Sequence, residues 1–241
     1  SIIILRDASM RQFLQVTTIS LLSLAIISCN ADNDRKIILE RHCQFNPSTI
    51  LESIESGDRN RFTLVENTVA SSQTFNTYAR WNQQDYFVIA NAIHDLLDGT
   101  SSKNWEIEDM SFNLKCSDVE FGAQGANITF LKEGITFSGP SSIERQITII
   151  PGEGAVDVWE FSYQSFRGSE AININTIAFF AEDILKIAED NGALEERDKV
   201  NNECEISMIL SPKLNHQVWE VNYFPGVYSL SIDAQTGDII K

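Results

Sequence analysis

Two stretches of this chain read alike, and together they constrain the fold more than any other feature. "ITIIPGEGAVDVWEFSY", from Ile147, and "ISMILSPKLNHQVWEVNY", from Ile206, each run through an apolar strand pattern, a proline turn and then Val-Trp-Glu-x-x-Tyr. Strand-patterned runs joined by so short a turn pair antiparallel, because parallel pairing needs a crossover of a dozen or more residues. At the two-residue period of a strand, Trp159, Phe161 and Tyr163 share one side, with Glu160 opposite. Trp219, Val221 and Tyr223 do the same in the second copy, with Glu220 opposite. Each set reads as a core stripe backed by a solvated one.

Around these words the chain alternates helix and strand patterns. Residues 82–99 place Ile89, Ala92, Ile93, Leu96 and Leu97 on one helical stripe, with Gly99 as a cap. Strand patterns follow over 105–116, 119–131, 143–150 and 156–166, with "QGAN", "KEG", "SGPSS" and "PGEG" as turn signals between them. A second helix is expected over 176–191, with Ile177, Phe180, Ala181, Ile184 and Ala188 inward and Gly192 after it. Strands over 205–210, 217–224 and 227–232, then 238–240, complete the chain. The fold class is α+β: two related helix-plus-antiparallel-sheet modules, 46–170 and 171–241, the first with an extra hairpin. Ahead of them, Thr49 and Glu52 stand at capping-box spacing behind Pro47, predicting a short helix that ends at Gly57, and "RFTLVENTVA" has strand composition. Residues 29–45 read as a polar tether.

The apolar run 13–28 is interrupted by Gln15, Thr17, Thr18, Ser20 and Ser23, and is short of the roughly 20 residues that span a bilayer. With Met10 and Arg11 before it and small residues after it, the run fits a signal segment. Ile26-Ile27-Ser28-Cys29 resembles the lipobox of bacterial lipoproteins, which implies lipidation of Cys29 and export to the cell envelope, facing away from the cytoplasm. Ordinary secretion with cleavage after Ala31, or an uncleaved anchor, stays open on the residues themselves. Residues 1–9, ahead of the first methionine, are assigned no role. The chain carries 18 basic and 34 acidic residues, a net charge of −16, spread without a run of five or six like charges. Such a surface repels phosphate backbones, so nucleic acid is not an expected partner.

Three cysteines follow Cys29: Cys43, Cys116 and Cys204. None stands at metal-ligand spacing, and outside the cytoplasm a disulfide is the default use. Cys43 with Cys116 is the expected pair, tying the N-terminal segment to a strand; the other pairings, and three buried thiols, stay open. The histidines suggest no catalysis. His94, beside Asp95, falls at the border of the apolar stripe and reads as a surface residue. His42 and Cys43 are adjacent on an extended chain and point to opposite faces. Gly192 and Glu196 miss the spacing of a calcium loop. No cofactor, metal or catalytic residue is expected. Trp81, in the polar run "ARWNQQD", is the tryptophan whose exposure is to be checked in a structure. Asn127 heads an Asn-Ile-Thr acceptor to which no function is assigned.

The last stretch carries a family resemblance. The helix "ILKIAEDNG", the strand "VWEVNY" and above all "YSLSIDAQTGDII" resemble the PepSY family over about residues 174–241. Physically, Asp233 can accept from the turn backbone, and Gly237 can take the positive φ that closes a hairpin. The resemblance implies a small helix-plus-sheet module of the bacterial envelope, linked with protease propeptides and restraint of peptidases, and brings no catalytic residue. A non-catalytic module binding a protein or peptide is therefore expected, with a strand edge near Tyr223, Phe224, Tyr228 and Ser231 as its contact. The alternative is an immunity-type or structural lipoprotein that binds a basic protein.

Overall fold

A computed structural model describes residues 36–44, 56, 65–66, 82–98, 104–168, 170–213, 216–226 and 228–240. Cys29, Trp81, Gly99 and all but Ser56 of the helix expected after Pro47 lie outside these residues. The described elements run β1 (Lys36–Gln44), β2 (Val65–Glu66), α1 (Gln83–Asp98), β3 (Glu106–Lys115), β4 (Gly125–Thr136), β5 (Gly139–Ile150) and β6 (Ala155–Tyr163). The chain continues with α2 (Ala181–Ala188), α3 (Leu194–Lys199), β7 (Glu205–Lys213), β8 (His216–Phe224), β9 (Tyr228–Asp233) and β10 (Ile239–Ile240). The α+β class holds. No described helix is long and apolar enough to cross a membrane.

The strands form one sheet of order β10-β9-β8-β7-β3-β4-β5-β6-β1-β2. Helix α1 precedes the meander β3–β6, helices α2 and α3 precede β7–β10, and the two meanders meet where β3 pairs antiparallel with β7. The alternation along each strand sorts residues between two faces. Met110, Phe112 and Leu114 lie opposite Leu210, Met208 and Ile206, which lie opposite Trp219, Val221 and Tyr223. All nine are buried under the helices, α1 packing over β4 and β5 and α2 over β8. Full burial of each large side chain contributes about 1.5–3 kcal/mol. The other face is largely polar, as is common where an antiparallel sheet packs its core on one face.

Four sequence expectations change here. Trp219 is fully buried beneath the helices, but Trp159 is half-buried on the opposite face, ring-stacked on Phe161. In β6 it is Val156, Val158 and Glu160 that face the helices, so the core stripe predicted through Trp159 is the wrong one. Trp159 also sits in the fourth strand of its meander and Trp219 in the second of its own, and both share one sheet. The alignment of the two Val-Trp-Glu words therefore does not relate equivalent strands, and the halves do not have separate sheets.

The second change is at the N-terminal end, where residues read as the close of a tether form strand β1, Cys43 buried within it. The third is the second helix, which starts at Ala181 and not near 176; a 3-10 turn, Ile174–Thr176, precedes it. Asp183 Oδ2 accepts from the Phe180 amide at 3.2 Å and caps that start. Gly192 is not a terminal cap: at φ 111° it lies within a π-turn, Glu189–Ala193, that joins α2 to α3.

The fourth concerns the disulfide, which joins Cys116 to Cys204 with Cα atoms 5.2 Å apart, not Cys43 to Cys116. Cys116 directly follows β3 and Cys204 precedes β7, its neighbour, and the Cys116 amide donates to the Cys204 carbonyl at 2.9 Å. Three strands separate β3 from β1, which puts Cys43 about 19 Å away at ordinary strand spacing, beyond disulfide reach.

Candidate functional site

The C-terminal hairpin is organised around Asp233. Its Oδ1 accepts from the amides of Gln235 at 2.8 Å and Thr236 at 2.9 Å, and its carbonyl from Gly237 at 2.9 Å. Its Oδ2 lies 3.1 Å from Nδ1 of the exposed His216. Burial pushes the carboxyl up, but the two amides and His216 outweigh it and hold Asp233 below the usual carboxylate range. Gly237 takes φ 75°, as its turn position requires, and a Cβ there would stand 2.9 Å from the Phe179 ring. The Ala234 carbonyl accepts from the amides of Ala178 and Phe179, and the Phe179 carbonyl accepts from Trp219 Nε1 at 3.1 Å. The approach to α2 is thus clasped between the hairpin and the core tryptophan.

The expected contact residues divide. Tyr223 is 1% exposed on β8, flanked by β7 and β9, so it is core and not edge. Phe224, at the end of β8, is exposed, and Ser231 is half-exposed. Tyr228 is half-buried and donates its hydroxyl to the Asn191 carbonyl at 2.9 Å. On the outer side of β9, β10 pairs only with Ser231 and Ile232. Residues 228–230 therefore form an open strand edge among the described residues.

Sequence reasoning missed a polar nest beneath α1. The buried stripe is Tyr86, Ile89, Ala90, Ile93 and His94, whereas Leu96 is exposed. His94 stacks on Phe130 at a centroid distance of 4.4 Å and meets Trp105 edge-on at 5.1 Å. Arg145 Nη1 stands 2.9 Å from His94 Nδ1, its Nη2 2.5 Å from Glu160 Oε1, and its guanidinium 4.5 Å from the Trp105 ring. The signals were present: Arg145 has the strand parity of Ile147 and Ile149, and 86, 89, 90, 93, 94 is a helical spacing.

The opposite face has its own cluster. Glu144 accepts from Tyr163 at 2.7 Å, from Gln146 at 2.6 Å and from Arg167, which also bonds Glu108 at 3.1 Å. Burial raises the nearby Asp109 carboxyl. These contacts fasten the segment after β6 to the sheet. Neither cluster pairs a nucleophile with a base in a cleft, and no group of three or more metal-ligating side chains occurs among the described residues.

Residues 180–241, which comprise α2, α3 and the Asp233 hairpin with its strands, match the family described as "Peptidase propeptide and YPEB domain". This stretch is a PepSY domain. No curated protein and no solved structure matches the chain. Among the described residues, several contacts join the PepSY domain to the preceding half. Gln83 of α1 accepts from the Ala181 amide, and its own amide donates to Glu182, both at 2.8 Å. Strands β3 and β7 pair, and the disulfide closes their ends. Arg197 of α3, paired with Glu189 at 2.8 Å, donates to the Cys116 carbonyl at 3.0 Å.

Proposed function

We propose that this protein is an exported, lipid-anchored envelope module that works by binding a protein or peptide, without catalysis, and so restrains a peptidase. The observation that carries the reading is the PepSY domain at 180–241, whose family is described by its peptidase propeptides. The open edge at 228–230 supports it, because an extended segment can add there by main-chain hydrogen bonds. Ser229→Pro would remove an edge amide without touching the core. The test is a pull-down from membrane extract: a co-purifying peptidase, retained by the native chain and lost by Ser229→Pro, is the expected result, and retention of no peptidase overturns the reading. The anchor is tested separately. Cys29→Ala should leave the protein unprocessed or released to the soluble fraction, and processed, membrane-bound Cys29→Ala would overturn the lipid site.

The net charge of −16 favours a second reading, an immunity-type or structural lipoprotein holding a basic protein. Its signature is a basic, non-peptidase partner released by salt, since exposed charges are screened within about 10 Å at 0.1 M ionic strength.

A further inference from the structure

The β4–β5 hairpin reaches well beyond the sheet. The two strands stay paired from Ala126 with Ile149 to Thr136 with Gly139. The pairing with β3 ends at Leu131 of β4, however, and the pairing with β6 ends at Ser142 of β5. Past Glu133, which lies opposite Ser142, neither β3 nor β6 runs beside the ribbon, which extends about 10 Å further to Thr136 at strand rise. The turn signal "KEG" does not end a strand but lies within β4, and "SGPSS" starts in the turn and runs on into β5.

At its tip stand Ile135 and Phe137, 84% and 111% exposed. A Cβ built on Gly134 or Gly139 would meet nothing within 4 Å, so among the described residues these two positions of the tip face open space. The turn chemistry does not call for an aromatic: the positive φ falls on Gly139 at 124°, and any polar residue would serve at position 137. The ribbon is held in shape, since Thr136 Oγ1 donates to the Gly139 carbonyl at 3.0 Å and Glu133 at the base accepts from the Gly168 amide at 2.9 Å. A preorganised projection loses little entropy when it docks.

We infer that this tip is a docking finger: Phe137 and Ile135 enter an apolar pocket on the surface of a partner protein. The inference rests on the protein-binding reading and adds a contact outside the PepSY domain. Charge decides between a protein pocket and a lipid surface. Interfacial insertion is helped by flanking Lys and Arg, whereas residues 132–141 carry one Lys, one Glu and no Arg, on a chain of net charge −16.

Phe137 is fully exposed, so Phe137→Asp will fold as the native chain does. A photo-cross-linking residue placed at 137 of the full chain, and separately at 229 on the β9 edge, is irradiated in the producing cells. The cross-linked protein is identified by mass, produced separately and titrated against the native chain and Phe137→Asp. In parallel, both chains are mixed with vesicles of phosphatidylethanolamine and phosphatidylglycerol. The expected result is a protein cross-linked from 137 whose affinity falls roughly tenfold to a hundredfold in Phe137→Asp, the change a buried phenylalanine supplies. Cross-linking from 137 to lipid, with vesicle binding lost in Phe137→Asp, would make the tip a membrane contact and overturn the inference. A partner captured from 229 that binds Phe137→Asp unchanged would overturn the finger and leave the binding reading standing. Capture from neither position would end both.

Discussion

Arg145 and His94 meet across the interface between α1 and the sheet, guanidinium Nη1 to imidazole Nδ1 at 2.9 Å. A guanidinium nitrogen only donates, so Nδ1 accepts and a neutral ring carries its proton on Nε2. Glu160 balances the arginine at 2.5 Å, with side chains 5% and 13% exposed. Removing one member of a buried pair leaves an uncompensated charge, while removing both together is far milder. Glu160→Ala should cost about 3 kcal/mol in urea unfolding, and the double change Arg145→Met, Glu160→Leu less than that. A double variant as unstable as the sum of its singles would show that the pair does not act as a unit.

Two glycines of the PepSY domain separate backbone strain from steric exclusion. Gly226 at φ 64° has open space where a Cβ would go, and Gly237 at φ 75° has the Phe179 ring there. Gly226→Ala should cost about 1 kcal/mol, the left-handed penalty alone. Gly237→Ala should cost about 2–3 kcal/mol, because the clash adds to it. Equal shifts in unfolding midpoint would remove the role given to Phe179.

The disulfide closes a loop across 88 positions and joins the PepSY domain to the half before it. Cross-links of this kind stabilise by about 2–4 kcal/mol. Cys204→Ser should lose that amount. Peptide mapping of the unreduced protein should recover the segments around Cys116 and Cys204 as one linked species. A linked species containing Cys43 would overturn the pairing.

Local periodicity carried much of the fold: α1, and most strands from β3 to β9, stand close to where apolar spacing and turn residues put them. It could not decide facing where both stripes of a strand are apolar. In β6, Val156 and Val158 compete with Trp159 and Phe161, and the inward choice is settled by Arg145 on the neighbouring strand, which lets Glu160 go inside. His94 failed for a related reason, since a histidine looks solvated until its arginine partner, far along the chain, is known. The cysteine pairing depended on strand order, which no local pattern encodes. The Asp233 turn was legible because its chemistry lies within five residues.

That turn gives a pH dependence with a defined sign. Asp233 is pushed up by burial and pulled down further by the amides of Thr236 and Gln235 and by His216, so its folded value lies below the unfolded one of about 3.9. A carboxyl depressed on folding contributes stability above its unfolded value and loses it as pH falls through the folded one. The native chain should therefore hold its Asp233 contribution above about pH 5 and shed it progressively below about pH 4. Asp233→Asn keeps an oxygen for the two amides but cannot titrate, so its stability should fall less steeply below pH 4. Asp233→Ala, which loses both amide bonds, should cost about 1–2 kcal/mol at neutral pH. Urea midpoints measured from pH 2 to pH 7 for the three chains check this, and parallel curves for the native chain and Asp233→Asn would show that the hairpin carboxylate does not couple to folding.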